Sequence, residues 1–165
     1  MQTYLTQIIA AVVVAAAHVP TKERNLEEKN LEKVVVASGY FDPLHVGHIE
    51  YLELAKQLGD KLVVIVNNDW QASLKKGKPF MQEEDRLKIV SSLSCVDEVF
   101  LSIDQDPSVC KSLEKINPGI FAKGGDRFSV EIPESKICAS LNIQIVDGLG
   151  DKIRSSSLII KRKKQ

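Results

Sequence analysis

The chain carries almost no covalent or metal framework. It has three cysteines in 165 residues, Cys95, Cys110 and Cys138, an odd number spaced far apart with no Cys-x-x-Cys pair. That excludes a disulfide scaffold and a thiolate zinc site, and fits small core residues in a reducing compartment, so a cytoplasmic location is expected. Net charge is zero, with 22 basic and 22 acidic residues. No global field toward nucleic acid or an anionic membrane follows, and any phosphate binding falls to local clusters. Long apolar runs are also missing. Ile8 to Ala17 is too short to span a bilayer comfortably, so no stable membrane insertion is expected. Nothing basic precedes it, as a signal peptide requires, although Ala15-Ala16-Ala17 has the look of a cleavage site and leaves export as the alternative. The reading adopted is an extra N-terminal helix and linker over residues 1–32, packed on the domain or on a second subunit.

What is present is a regular alternation from Lys33 onward. Val34-Val35-Val36-Ala37 reads as a first strand, Val46 to Leu58 as a helix capped by Gly59, and Lys61 to Val66 as a second strand, apolar throughout as if covered on both faces. A polar loop is expected at Lys75-Lys76-Gly77-Lys78-Pro79, then a helix over Gln82–Leu93 with Glu83 and Glu84 in its first turn. A strand over Val96–Ile103, a helix over Pro107–Ile116, a short strand Ile120–Ala122, a helix Pro133–Ser140, a strand Ile143–Val146 and a last helix from Ser155 to Lys161 complete the domain, 33–161, before a basic tail at 162–165. This alternation predicts a Rossmann-like, doubly wound α/β fold with a five-stranded parallel sheet in the order 3-2-1-4-5. Ligands of such sheets lie beyond the carboxyl ends of the strands where the order reverses, here between strands one and four.

Two motif-like loops follow those two strands. The first is Gly39-Tyr40-Phe41-Asp42-Pro43-Leu44-His45-Val46-Gly47-His48. A strand that ends in a tight turn and opens a helix leaves unpaired N–H groups and the positive end of a dipole facing a ligand. His45 and His48 stand at that mouth, and Gly47 keeps the space between them clear. Two imidazoles there can donate hydrogen bonds to phosphate oxygens that gain charge. On the four letters alone, a metal pair or two polar loop residues fits as well. The second loop is Lys123-Gly124-Gly125-Asp126-Arg127, whose glycines permit backbone approach and whose Asp126 can accept from a ribose or base; a plain turn is the alternative. Lys75, Lys76 and Lys78 could close over a polyphosphate or could be a solvated surface. Arg86 could clamp an anion or form a surface ion pair with Glu83 or another neighbour. Arg154-Ser155-Ser156-Ser157 offers more donors than one N-cap needs.

The longer string Gly-x-Phe-Asp-Pro-x-His-x-Gly-His, at Gly39 to His48, resembles the signature of the cytidylyltransferase-like nucleotidyltransferase superfamily. The resemblance spans about Lys33 to Lys161. It implies that His45 and His48 bind the nucleotide phosphates and stabilise the transition state, with a mobile-loop lysine, Lys75 or Lys76, and Arg86 assisting. It also implies nucleotide contacts from Gly39, Tyr40, Phe41, Asp42, Gly47, Lys123, Gly124, Gly125, Asp126, Arg154, Ser155, Ser156 and Ser157. Lys-Gly-Gly-Asp looks most like the heptose-phosphate adenylyltransferase domain. The glycerol-phosphate cytidylyltransferases carry Arg-Thr-Glu-Gly-Ile-Ser-Thr before the last helix, where this chain has Gly150-Asp151-Lys152-Ile153-Arg154-Ser155-Ser156-Ser157. That departure counts against a glycerol-phosphate assignment.

The expected activity is transfer of a nucleotidyl group from ATP or CTP to a small phosphorylated acceptor, with release of pyrophosphate, by a stand-alone transferase. Mg²⁺ is expected to arrive on the triphosphate, since no carboxylate cage is visible, with Asp42 as an exception or else a brace for its turn. The resemblance implies dimerisation, with the N-terminal helix as a candidate contact. Two rivals remain: a non-catalytic nucleotide-binding module of the same fold, and a metal-dependent hydrolase using His45 and His48. The second lacks a third ligand at sensible spacing, His18 lying in the apolar N-terminal stretch.

Overall fold

The computed structural model describes residues 32–125 and 132–150, with Ser156, Ile159 and Ile160; the side chain of Lys76 is not included. Five strands form one parallel sheet: β1 (Val34–Gly39), β2 (Lys61–Val66), β3 (Glu98–Leu101), β4 (Ile120–Gly124) and β5 (Gln144–Leu149), in the order β3-β2-β1-β4-β5. The helices are α1 (Val46–Lys56), α2 (Asp69–Lys76), α3 (Glu83–Ser91), α4 (Cys110–Ile116) and α5 (Ser135–Ser140). Ser156, Ile159 and Ile160 are helical, and the rest of the expected last helix lies outside the described residues, as do residues 1–31 and the basic tail.

The sheet is buried on both faces because its central strands offer apolar side chains in both directions. Val35, Ala37, Leu62, Val64 and Val66 face α1 and α3, packing with Leu52, Ala55 and Val90. Val36, Val63, Ile65 and Phe121 face α4 and α5, packing with Leu113 and Cys138. Each such side chain contributes about 1.5–3 kcal/mol on burial. Burial pushes the thiols of Cys95, Cys110 and Cys138 upward, that of Cys138 to about 11. Inert thiols of this kind belong to packing. Among the described residues no helix is long and apolar enough to cross a membrane.

Three local expectations are corrected. The stretch read as a polar loop is helical through Lys76, and Gly77 then ends α2 with φ +78°. The helix starts because the Asn68 side chain accepts from the Gln71 N–H at 2.9 Å while Gln71 Oε1 accepts from the Asn68 N–H at 3.2 Å, a reciprocal capping box. Gly59 is not the cap of α1, which closes at Gln57. A Cβ on Gly59 would lie 2.4 Å from the Lys33 carbonyl oxygen, so the glycine is there for close backbone approach. Lys123 and Gly124 belong to β4, and only Gly125, at φ +74°, begins the turn.

Candidate active site

The carboxyl end of β1 turns sharply through Tyr40 and Phe41. Phe41 is buried at φ +50°, a left-handed conformation that costs a bulky residue energy and so needs packing to hold it. Its ring folds back over Gly39, where a Cβ would sit 2.8 Å from Phe41 Cζ, and meets His48 edge-on at 5.1 Å between centroids. Gly39 therefore serves the Phe41 ring. The Asp42–Pro43 peptide bond is cis. Asp42 is 1% exposed, and its two carboxylate oxygens accept from the backbone N–H groups of Phe80, at 3.0 Å, and Met81, at 2.8 Å. It braces the first loop against the segment that leads into α3.

His45 is the N-cap of α1 and His48 its third residue, with Gly47 in the first turn between them. His48 Nδ1 accepts from the His45 N–H at 3.3 Å. An acceptor at Nδ1 carries no proton there, so the neutral ring presents Nε2–H as its donor. The two imidazoles stack, centroids 3.7 Å apart and planes 13° from parallel. The helix start thus combines N–H groups, the dipole and two imidazoles, as an anion site would.

Lys75, in the last turn of α2, lies over the Tyr40 ring with Nζ 4.3 Å from its centroid. A helical lysine therefore reaches the first loop without being part of a loop itself. Lys123 lies 4.9 Å from the Phe121 ring centroid. The Ser156 hydroxyl donates to the Pro43 carbonyl at 3.0 Å, which places that serine at the same turn. Asp126, Arg154, Ser155 and Ser157 lie outside the described residues. Trp70, near the start of α2, is 57% exposed and donates its indole N–H to the Gln105 carbonyl at 3.1 Å.

Arg86 takes a different place from the expected anion clamp. Its side chain is fully buried. Nε donates to the Met81 carbonyl, one terminal nitrogen to the Tyr40 and Asn67 carbonyls at 2.9 and 2.6 Å, and the other to Asp69 at 2.6 Å. The guanidinium ties together the carboxyl ends of β1 and β2 and the first turn of α2. Its partner is Asp69, with Glu83 accepting instead from the Asp69 N–H at 2.7 Å. Sequence reading missed Asp69 because the pair bridges two elements with no local spacing rule. It also missed Tyr51, whose ring a Cβ on Gly124 would meet at 2.9 Å. Among the described residues no group of three or more His, Cys, Asp or Glu side chains converges on a metal position.

Residues 36–162 match the family described as cytidylyltransferase-like. The chain belongs to that family. The domain is 37% identical over 173 residues to "Bifunctional protein HldE" of Citrifermentans bemidjiense, covering 94% of this chain and 34% of that protein. It is 46% identical over 95 residues to "FAD synthase" of Ferroglobus placidus, covering 58% of this chain and 60% of that protein. It thus spans about a third of the length of the first relative. The crystal structure of a lipopolysaccharide core biosynthesis protein from Thermoplasma volcanium superposes with a TM-score of 0.63 at 32% identity, over 73% of this chain and 98% of that one. The doubly wound, five-stranded parallel sheet expected from the strand–helix alternation is the one observed, and the family is the one that the Gly39–His48 string resembles.

Proposed function

We propose that this domain transfers AMP from ATP to the phosphate of a sugar phosphate, releasing pyrophosphate. The observation that carries this is the stacked His45–His48 pair at the start of α1. An acceptor phosphate oxygen attacks the α-phosphorus, forming the new P–O bond as the bond to the pyrophosphate oxygen breaks. The acceptor is already anionic, so no general base is needed, and catalysis is positioning plus charge stabilisation. His48 donates from Nε2 to an oxygen gaining charge, while the N–H groups of α1 hold the phosphates. Lys75 adds charge from the side of Tyr40. Mg²⁺ carried by the triphosphate would offset part of its charge, and no cluster of carboxylates among the described residues would be needed to hold it. Adenylyl transfer is supported by family membership, by the Lys123–Asp126 string and by likeness to a protein named FAD synthase. That likeness also favours a second acceptor, flavin mononucleotide.

The test is pyrophosphate release, with ATP, CTP, GTP and UTP each crossed with sugar phosphates, polyol phosphates and flavin mononucleotide. Release with ATP and a sugar phosphate supports the reading. Release only with flavin mononucleotide replaces the acceptor, and release only with CTP replaces the donor. Nucleotide binding without release from any pair favours a binding module.

A further inference from the structure

The Arg86 guanidinium fixes the backbone on both sides of one contact. One terminal nitrogen donates to the Tyr40 carbonyl at 2.9 Å, and the other to Asp69 at 2.6 Å. The first loop and the first turn of α2 are thereby tied to one buried group. That turn is also held on the side of β3. Asn68 Nδ2 donates to the Ser102 and Asp104 carbonyls, each at 2.9 Å, and Gln71 Nε2 to the Asp106 and Ser108 carbonyls, each at 2.7 Å. The far end of α2 differs. Ser73, Leu74 and Lys75 are exposed, and the helix ends at Gly77.

A lysine on such an exposed turn has large rotamer freedom, and a ligand must remove that freedom before it gains from the charge. Here the ammonium lies over the Tyr40 ring, with Nζ 4.3 Å from its centroid. A ring face attracts a cation through its quadrupole and carries no net charge. A carboxylate in the same place would cancel the lysine, whereas the ring leaves the full positive charge to act on a phosphate. The attraction needs no directed acceptor, so the seat is compatible with N–H donation to phosphate oxygens. The ring also cannot drift, because the next residue, Phe41, is buried in its left-handed turn.

We infer that Tyr40 is a positioning residue: its ring seats the Lys75 ammonium beside the loop that carries His45 and His48, so that a charge borne by a surface turn is in place before a triphosphate arrives. The triphosphate part rests on the nucleotidyl-transfer reading. The seat itself does not.

The seat is read without any ligand, from protein labelled with ¹³C at its lysine ε-methylenes. The Lys75 signal is identified by its loss in Lys75→Met. It is expected upfield of the exposed lysines in the parent and in Tyr40→Phe, and at their common position in Tyr40→Leu. A Lys75 signal at the common position in the parent would overturn the inference. In pyrophosphate release, Tyr40→Leu is expected to lower kcat/KM for ATP about fivefold, and Tyr40→Phe to restore most of that loss. In a Lys75→Met background, Tyr40→Leu should cost less than about twofold more, since its effect runs through the lysine. An equal cost with and without Lys75 would show the ring acting by itself, and a Tyr40→Phe as poor as Tyr40→Leu would assign the effect to the hydroxyl; either result overturns the inference. Should the parent release no pyrophosphate and bind no nucleotide, the functional reading fails by itself, and the Lys75 signal still decides the seat.

Discussion

The imidazoles of His45 and His48 lie face to face, 3.7 Å between centroids, with His48 Nδ1 bound to the His45 backbone N–H. With Nδ1 taken up by that bond, His48 meets a phosphate through Nε2. His48→Ala removes a donor whose worth is greatest where charge accumulates. The expected result is a fall in kcat of about 10²–10³-fold with nucleotide Kd changed less than about tenfold. Pyrophosphate release and equilibrium nucleotide binding, measured side by side, check it; equal losses in both would assign His48 to binding alone.

Arg86 makes a prediction about stability. Its buried guanidinium makes four hydrogen bonds, to three carbonyls and Asp69, so Arg86→Ala strands several polar groups at once. The loss is expected at about 3–5 kcal/mol. Arg86→Lys should recover little of it, because a point charge cannot span the geometry of a planar fork. Denaturant midpoints at unchanged slope measure both; a near-wild-type Arg86→Lys would mean that charge alone suffices.

Gly59 tests close approach. A Cβ there meets the Lys33 backbone oxygen at 2.4 Å, and that oxygen is itself held by the Asp60 N–H at 2.9 Å. Backbone cannot step aside as a flexible side chain would. Gly59→Ala is therefore expected to destabilise by at least about 1–3 kcal/mol, the usual cost of overpacking, and thermal melting reads it. A stabilised variant would show that the entropy of glycine outweighs the contact.

Asp97 carries the pH dependence. Its carboxylate accepts from the Leu62 N–H and from Lys56, each at 2.6 Å, and these bonds, the backbone one first, hold its pKa below the ordinary carboxylate value. A pKa lowered by folding stabilises above the unfolded value and ceases to do so as pH falls through the folded one. Asp97 is partly exposed, so Asp97→Asn should cost only about 1 kcal/mol at neutral pH. That gap should close as pH drops below about 4, which denaturation at a series of pH values would show. A constant gap down to about pH 2.5 would remove the charge from the explanation.

The fold was readable because its signal is local. Apolar runs such as Leu62–Val66 and the glycines and prolines between them mark strand, turn and helix one after another, and the order of motif loops points to the switch point. The histidines were readable for the same reason, being neighbours on one turn. Lys75 was misread because the Gly77–Pro79 breaker drew attention from the Asn68–Gln71 capping box that starts a helix ahead of it. The partners of Arg86, and Tyr51 altogether, were out of reach. Each owes its role to partners tens of residues away, Tyr40 and Asn67 for one and Ala122 for the other, and no periodicity encodes such distances.

The chain has a single tryptophan, and it stands on α2, the helix that sends Lys75 to Tyr40. Half out of water and tied by its indole to the Gln105 carbonyl, Trp70 is a built-in optical probe. Any ligand that draws Lys75 off the Tyr40 ring pulls on the same short helix, and the emission of an unlabelled sample records that movement as it happens.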